Sequence, residues 1–286
     1  MRICRFDDNR LGVVRDDRVF DVTEALGILA GGAGYPLPRV DPLIANLDAI
    51  RRRIDSLLAS ASSKSVDDVC LLSPVANPGK LVAAPVNYAK HLEEARADAG
   101  VHHNNQIQEI QRVGLFLKAT SSLIGAGEPV RIRHHDRRND HEIELAIIIG
   151  KAGVGIKRED AWRHVAAYTI GLDMTVRGPE ERSLRKSVDS YSVLGPWMVT
   201  ADEMGDPGAL DFRLAVNGQA RQQANTRDLV MDIPALIEFA SAFYTLHPGD
   251  VIYTGTPEGV GPVVPGDVIE AEFQNIGRMR VAVESA

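Results

Sequence analysis

The apolar residues in the first part of the chain change from alternating to helical spacing. Residues 1–25 alternate in the manner of a small antiparallel unit, with Asp16-Asp17 as its turn. Asp41 and Pro42 then supply the cap and the first position of a predicted helix. The apolar positions of that helix are Leu43, Ile44, Leu47, Ile50, Ile54, Leu57 and Leu58.

Two segments rich in glycine and proline interrupt these patterns. GGAGYPLP at 31–38 predicts a loop, and SPVANPGK at 73–80 marks a second break. We therefore place a domain boundary near residue 75. The sequence predicts a small N-terminal domain at 1–75 and a larger domain at 76–286.

The larger domain is predicted to contain more strands than helices. LVAAPV at 81–86 and DHEIELAIIIG at 140–150 are typical of buried strands, and Asn217-Gly218 is a strong hairpin signal. Asn87 is expected to cap the helix that begins in YAKHLEEA. Because the predicted strands and helices do not alternate as βαβ units, we expect a β-rich α+β fold.

DHEIELAIIIG has an unusual combination of charge and apolar character. As a strand it places one set of residues on one face, Ile143, Leu145, Ile147 and Ile149. The other face carries Asp140, Glu142, Glu144, Ala146 and Ile148. Two buried carboxylates side by side cost several kcal/mol unless something positive meets them. Three interpretations are therefore possible: this face opens to solvent, basic side chains neutralise its carboxylates, or the carboxylates bind a cation.

The spacing of Glu142 and Glu144 is compatible with a cation site. Carboxylates at i and i+2 of a strand can converge on one ion, and Asp173, an acid within the apolar run IGLDMTV, could supply a third ligand. Such an all-carboxylate set favours Mg²⁺, Mn²⁺ or Ca²⁺ over Zn²⁺. Separately, His91 and Glu94 share one face of a predicted helix, either as a general base with its orienting carboxylate or as an ordinary surface pair.

Composition limits the partners that this chain is expected to have. Its 286 residues carry a formal net charge of −7, without a dominant basic block, which argues against nucleic acid. The sequence contains no apolar run near the roughly 20 residues of a membrane span and no apolar region typical of a signal peptide. Its two cysteines lack CxxC spacing, so we expect a reduced, cytoplasmic protein without a membrane partner.

Eight segments in one order carry a resemblance to the fumarylacetoacetate hydrolase superfamily. They are NYAKH with Glu94, LFLKATSS, DHEIELAIIIGK, YTIGLDMTVR, KSVDSYSVLGPW, VNGQARQQANTRDL, LHPGDVIYTGTPEGVG and PGDVIEAEFQNIG. The resemblance implies a mixed β-sandwich roll, with residues 1–75 as a small α/β accessory domain, and a homodimer. It also implies a divalent cation, Mg²⁺ or else Mn²⁺ or Ca²⁺, bound by Glu142, Glu144 and Asp173.

The resemblance further implies a metal-dependent hydrolase that acts on a carbon–carbon bond in a ketonic substrate. The substrate would be a 2,4-dioxo acid, either an acylpyruvate or a 2,4-diketo-3-deoxy sugar acid, cleaved through a metal-stabilised enolate. His91 and Glu94 would activate water, and Lys186 would lie near the developing charge. The implied substrate-binding residues are Lys118, Arg177 and Thr256.

Other functions remain open at this point. A decarboxylase or an isomerase of a 2-oxo acid, of the oxaloacetate or hydroxymuconate type, would use the same metal site, and a catalytically silent protein would use none of it. Arg177 is followed by Gly178-Pro179-Glu180, where the family often has Asp with a Gln soon after, and the stretch to Lys186 is shorter than in many members. The substrate is therefore left open. The stretch 95–114 is either a mobile lid that closes over the ligand or an ordinary surface insertion, and we expect the lid.

Overall fold

The computed structural model describes residues 1–29, 39–103 and 107–286. The strands are β1 Arg2–Phe6, β2 Arg10–Arg15, β3 Arg18–Asp21, β4 Ser63–Ser65, β5 Leu71–Leu72, β6 Leu81–Ala83, β7 Phe116–Lys118, β8 Leu123–Gly125, β9 Val130–Ile132, β10 Asn139–His141, β11 Ile143–Ile149, β12 Val165–Asp173, β13 Thr175–Val176, β14 Ser192–Thr200, β15 Asp211–Val216, β16 Gln219–Asn225, β17 Val251–Tyr253, β18 Gly261–Pro262, β19 Val268–Phe273 and β20 Gly277–Ser285. The predicted loop at 31–38 lies outside the described residues.

Helices occupy a smaller part of the described chain. The α-helices are α1 Pro42–Ala45, α2 Leu47–Leu57, α3 Ala89–Ala97, α4 Ala99–His102, α5 Ile110–Val113, α6 Arg182–Lys186, α7 Ala201–Met204 and α8 Ile233–Phe243. Short 3₁₀ helices are Thr23–Leu29, Leu58–Ser60, Val66–Asp68, Thr120–Ser122, Arg158–His164, Pro207–Ala209 and Thr226–Asp228. Within the three described ranges, no helix is long and apolar enough to cross a membrane.

Three sheets organise the strands. A sheet of twelve strands has the order β4-β3-β2-β1-β14-β12-β11-β17-β6-β7, with β5 paired to β1 and β8 to β14. A sheet of five strands runs β16-β15-β19-β20-β9, and a sheet of three runs β13-β10-β18. Most pairs are antiparallel, whereas β6 with β17, β8 with β14 and β9 with β20 are parallel. The predicted β-rich mixed fold is confirmed.

The two faces of the large sheet bury two separate cores. One core joins it to the five-stranded sheet, through residues such as Leu145 and Ile170 on one side and Phe212 and Phe273 on the other. The second core packs the opposite face, with Ala146 as one member, against α1 and α2. Because both faces are covered, a polar side chain on β11 is buried whichever face it is on.

The N-terminal strands continue the same large sheet. β1 pairs with β2 on one side and with β14 on the other, where Arg2 lies opposite Val199. Asp41 caps α1 by accepting hydrogen bonds from the backbone amides of Leu43 and Ile44, as its position before a proline predicts. The single predicted helix divides at Asn46 into α1 and α2. The domain boundary at residue 75 stays a prediction.

Two predicted turn and cap residues have different outcomes. Asn217 and Gly218 form the turn between β15 and β16 with φ angles of 52° and 74°, which confirms the hairpin. Asn87 does not cap α3, whose N-cap residue is Tyr88. Its side-chain amide instead donates to the backbone oxygens of Met231 and Thr254, 2.8 Å away in each case. A buried Asn satisfied by two distant carbonyls has no local sequence signal.

Candidate active site

The segment 140–150 is two short strands rather than one. β10 ends at His141, β11 begins at Ile143, and Glu142 lies at the break between them. The predicted division of faces holds, because Ile143 and its alternating neighbours enter the first core and Ala146 and Ile148 enter the second. Both faces are buried. The interpretation that the carboxylate face opens to solvent is therefore wrong.

Pairing of β11 with β12 brings the three predicted metal ligands together. Ile143 lies opposite Leu172, and the backbone amide of Asp173 donates to the carbonyl of Glu142 at 2.9 Å. Asp173 therefore projects from the same face as Glu142 and Glu144. All three side chains are buried, and each offers a carboxylate oxygen within 4.8 Å of the others.

Basic side chains meet two of these three carboxylates. The Lys186 ammonium donates to Glu142 at 2.7 Å and also to Asp173. Arg177 donates to Glu142 at 2.8 Å. Glu144 differs, since it accepts a hydrogen bond of 2.6 Å from the Gly255 amide and has no basic partner in the described part of the chain. Neutralisation by basic residues therefore accounts for only part of the cluster.

The electrostatic environment separates Glu142 from Glu144. Burial by itself would raise the pKa of Glu142, but Lys186 and Arg177 outweigh it and bring the pKa well below the usual range. Burial raises the pKa of Glu144 well above its usual range, and the neighbouring charge of Asp173 adds to the effect. A buried carboxylate without a basic partner, beside two others, is a donor set that fits a hard divalent cation.

Asp140 holds Arg177 in place beside this cluster. It is fully buried, accepts a hydrogen bond of 2.8 Å from Arg177 Nε, and accepts another of 2.7 Å from Arg138 Nε. Arg177 thus bridges Asp140 and Glu142 through two different nitrogens. The sequence placed Asp140 on the carboxylate face but gave no indication that it would orient an arginine.

His91 and Glu94 form a hydrogen-bonded pair on α3. His91 is buried, and its Nδ1 lies 2.9 Å from a carboxylate oxygen of Glu94. The other Glu94 oxygen accepts a hydrogen bond of 2.9 Å from the Gly259 amide. Gly259 has φ of +90°, and a Cβ there would collide with the carbonyl oxygen of Arg221. Because His91 is buried, the pair is not an ordinary surface pair.

One cavity lies between His91 on α3 and the carboxylates of Glu142 and Glu144. Most of the predicted site residues line it, namely His91, Glu142, Glu144, Arg177, Lys186 and Thr256. The Thr256 hydroxyl donates to the carbonyl of Ile143 at 2.9 Å. Three further parts of the wall, Arg182, Arg185 and the backbone bend at 84–86, were not predicted as site residues. Both arginines lie in a polar segment of the sequence, so nothing in their neighbours distinguishes them as site residues.

Lys118 lies behind the carboxylates and not in the described wall of the cavity. Its ammonium contacts Asp173, donates to the Tyr191 carbonyl at 2.8 Å and lies 5.5 Å from the centre of the Tyr253 ring. Burial lowers the pKa of Lys118, and the charge of Asp173 opposes that effect. This placement favours a role in holding Asp173. Its predicted contact with substrate stays a prediction.

Gln222 is a buried residue of the site that sequence reasoning missed. From β16, its amide nitrogen donates to Thr256 Oγ1 at 2.8 Å and to the Pro257 carbonyl at 2.9 Å. Its amide oxygen accepts from the Ile143 amide at 3.2 Å and lies 3.1 Å from His141 Nδ1. Gln222 therefore ties the start of β11 to the loop that supplies the Gly255 and Gly259 amides. A sheltered Gln within QARQQ has no pattern that distinguishes it from its neighbours.

Part of the stretch predicted as a lid covers the cavity. Val101 and Ile107 line it and pack with Ala95 and Val260. Residues 104–106, in the middle of that stretch, lie outside the described part of the chain. Movement of the segment stays a prediction.

Comparison with known proteins gives the family of this chain. Residues 80–284 match the family described as Fumarylacetoacetate (FAA) hydrolase C-terminal. A maleylpyruvate hydrolase of Aquipseudomonas alcaligenes is 58% identical over 287 residues, which cover 100% of both chains. An oxaloacetate tautomerase of Xenopus laevis is 38% identical, over 74% of this chain and 68% of its own length.

Solved structures agree over the full length. A maleylpyruvate hydrolase from Sphingobium sp., solved in complex with manganese (II) ion and pyruvate, superposes with a TM-score of 0.84 at 43% identity, covering 100% of both chains. The fold and the family motifs therefore lead to one conclusion: the chain belongs to the fumarylacetoacetate hydrolase family, as its sequence predicted.

Proposed function

We propose that this protein hydrolyses an acylpyruvate, with maleylpyruvate as the first candidate, and cleaves the carbon–carbon bond that joins the acyl group to pyruvate. The observation that carries the proposal is that His91, which is hydrogen-bonded to Glu94, lines the same cavity as Glu142 and Glu144 of the carboxylate cluster. The full-length similarity to a maleylpyruvate hydrolase supports the same reaction class, which is the one predicted from the sequence.

A divalent cation belongs to this proposal. Glu142, Glu144 and Asp173 would hold Mg²⁺ or Mn²⁺, and the bound ion would act as a Lewis acid toward the 2-oxo acid end of the substrate. The Sphingobium relative was solved in complex with manganese (II) ion and pyruvate, which supports a divalent cation and a pyruvate unit in this proposal. Arg177 and Lys186 keep Glu142 ionised, and Lys118 and Lys186 hold Asp173.

The chain's own residues then account for the use of water. Glu94 would accept a hydrogen bond from His91 Nδ1. This bond would fix the orientation of the ring and leave Nε2 to take a proton from water. The hydroxide adds to the C4 carbonyl, the C3–C4 bond breaks with its electron pair on C3, and C3 receives a proton. One water is consumed, and maleylpyruvate gives maleate and pyruvate. Lys186, on the cavity wall, is the nearest candidate to stabilise the charge on the leaving unit.

A product assay tests this function directly. The purified protein, loaded with Mn²⁺ and incubated with maleylpyruvate, is expected to release maleate and pyruvate in equal amounts, measured by proton NMR. Protein that binds Mn²⁺ by calorimetry but releases no pyruvate from maleylpyruvate or any other acylpyruvate would overturn the proposal.

The second candidate is chemistry on a 2-oxo acid without hydrolysis. The similarity to an oxaloacetate tautomerase favours it, and the same metal site would serve a decarboxylase or an isomerase. Oxaloacetate in the same NMR assay separates these possibilities, because tautomerisation exchanges enol and keto signals whereas decarboxylation yields pyruvate and CO₂. If the protein converts oxaloacetate and releases no pyruvate from acylpyruvates, this second candidate is favoured.

We also propose that the protein is a homodimer. Exposed apolar side chains lie on and near α5 and α8, and Phe243, with 72% of its surface exposed, and Val113 line one groove there with Phe239. A second copy of the chain is the occupant that would remove these side chains from water. Light scattering after gel filtration should give twice the mass of the 31.1 kDa chain, and Phe243→Asp should give the single mass.

A further inference from the structure

α6 presents three cationic side chains to one cavity. Arg182, Arg185 and Lys186 stand at i, i+3 and i+4, so they share one face of the helix. All three line the cavity. Lys186 donates to Glu142 and Asp173, whereas neither arginine is ion-paired with a described carboxylate. The short helix thus carries one cation that is ion-paired with the carboxylates and two that form no ion pair within the described residues.

The arginines are held by weak or neutral contacts. Arg182 makes no hydrogen bond or ion pair within the described residues, and its guanidinium lies 5.5 Å from the centre of the Phe116 ring. Arg185 donates from Nε to the Glu180 carbonyl at 2.8 Å. Burial lowers the pKa of both groups, although an arginine stays charged. Both guanidinium groups are half-buried and line the cavity without an ion pair among the described residues, so an anion that enters the cavity can pair with them.

The protein's own carboxylates do not pair with every cationic side chain around the cavity. Arg138, Arg177, Lys118 and Lys186 form ion pairs with Asp140, Glu142 or Asp173. Arg182 and Arg185 form no ion pair within the described residues. A substrate whose 2-oxo acid end is directed at the carboxylate cluster would therefore leave both arginines free for a second carboxylate.

We propose that Arg182 and Arg185 receive a second carboxylate, at the end of the substrate remote from its 2-oxo acid unit, and thereby select dianionic acylpyruvates. The inference rests on the proposed function, since it names the substrate class of the same site. A guanidinium presents parallel N–H donors that match both oxygens of a carboxylate, which makes arginine well suited to this position. Arg177 is less suited to this position because its Nε and one Nη already donate to Asp140 and Glu142.

A matched pair of substrates isolates the remote carboxylate. 2,4-Dioxoheptanedioate and 2,4-dioxoheptanoate have the same seven carbons and differ only at that end. We expect the wild-type protein to prefer the dianion in kcat/KM. Each of Arg182→Gln and Arg185→Gln should lower kcat/KM for the dianion by about 10–100-fold, the usual worth of a hydrogen bond to a charged group. For the monoanion the change should stay within about threefold, the context-dependent scatter of such contacts.

Binding without turnover gives a second readout. 2-Oxoheptanedioate and 2-oxoheptanoate lack the 4-oxo group and cannot be cleaved, so calorimetry on the Mn²⁺-loaded protein measures their affinities alone. The two variants should weaken binding of the dianion and leave that of the monoanion unchanged. Arg163→Gln, at an arginine with a 77% exposed side chain, is the charge-matched control and should change neither.

The outcomes separate the two proposals. If the arginine variants lose kcat/KM equally for the dianion and the monoanion, the arginines hold the 2-oxo acid end, and this assignment is overturned. Equal wild-type cleavage of both acids, unaffected by the variants, would also overturn it while the hydrolase function stands. Selective binding of the dianion without release of pyruvate from either acid, from maleylpyruvate or from any other acylpyruvate would retain the arginine site and remove the hydrolase function.

Discussion

The cavity has two walls that the fold anchors in different ways. The strand wall consists of Glu142 and Glu144, with Asp173 beside them, and the register of β11 with β12 fixes all three. Lys118, Lys186, Arg177 and the Gly255 amide contact these carboxylates. The helix wall consists of His91 on α3 with Arg182 and Arg185 on α6. Its side chains have few partners, with one carboxylate for His91, one carbonyl for Arg185 and an aromatic ring for Arg182.

This difference separates stability from chemistry. On the strand wall, Glu142 and Asp173 are held in buried ion pairs, so breaking one of these pairs should alter both stability and activity, whereas Glu144 forms no ion pair within the described residues and should affect activity alone. On the helix wall, His91, Arg182 and Arg185 contribute little to the stability of the folded state. Substitutions of these residues should therefore lower activity and leave the free energy of unfolding nearly unchanged. The following substitutions test that contrast.

Glu144→Gln should have the largest effect on the strand wall. An amide is a poorer ligand than a carboxylate for a hard cation, so we expect Mn²⁺ binding and activity to be lost, as measured by calorimetry and the pyruvate assay. Burial and the neighbouring charges of Asp173 and Glu142 disfavour the charged form of Glu144 and outweigh the attraction of Lys186, so the metal-free variant should melt no lower than the wild type. Glu284→Gln, at an exposed position, is the control. Full Mn²⁺ affinity in Glu144→Gln would show that the ion site has been misplaced.

His91→Ala is the corresponding test of the helix wall. Loss of a general base should lower kcat by about 10²–10⁴-fold. Mn²⁺ affinity should barely change, since His91 is not among the clustered carboxylates. His135→Ala, at an exposed histidine, should keep wild-type kcat. A variant at position 91 that retains turnover of maleylpyruvate would favour enolate chemistry without water activation.

Arg177→Met sharpens the contrast by removing a charge that the fold itself uses. The change leaves the buried Asp140 and Glu142 with one basic partner fewer each, and breaking a buried ion pair costs about 3–5 kcal/mol. We expect the free energy of unfolding in urea to fall by about 3 kcal/mol, the lower end of that range, because Arg138 and Lys186 remain. Arg163→Met, at an exposed pair with Asp160, should cost less than about 1 kcal/mol. Similar losses for both would contradict the distinction.

Gln222→Ala should have the smallest effect of the four. It removes the link between the start of β11 and the loop at 255–259, and it leaves buried donors and acceptors unpaired at about 1–3 kcal/mol. Urea unfolding measures that loss. Gln223→Ala, at the exposed neighbouring position, is the control. An unchanged free energy of unfolding would mean that the link is not needed.

The sequence revealed the strand wall more readily than the helix wall for a physical reason. Glu142, Glu144 and Asp173 are acids within apolar strands, and such a placement is costly enough to require an explanation. Helical spacing placed His91 and Glu94 on one face, and the family resemblance then implied their role in activating water. The β-rich fold and the hairpin at Asn217-Gly218 were likewise predicted, because alternation and turn chemistry are local.

Residues whose role depends on distant partners could not be found in this way. Arg182 and Arg185 lie in a polar segment, and only the three-dimensional structure shows that they face the carboxylates. Asn87 was assigned as a cap because its position suited one, whereas its bonds reach Met231 and Thr254, far along the chain. Gln222 joins three segments and has no unusual neighbours in sequence.

The compactness of α6 has a consequence for how this enzyme can diverge. Within five residues it carries Lys186, which touches the carboxylates, and the two arginines assigned to substrate choice. Exchanging Arg182 or Arg185 leaves the backbone and Lys186 in place, so the accepted acid can change by single substitutions. Inserting or deleting one residue would instead turn Lys186 by about 100° around the helix axis. New substrate ranges should therefore evolve with the length of α6 unchanged.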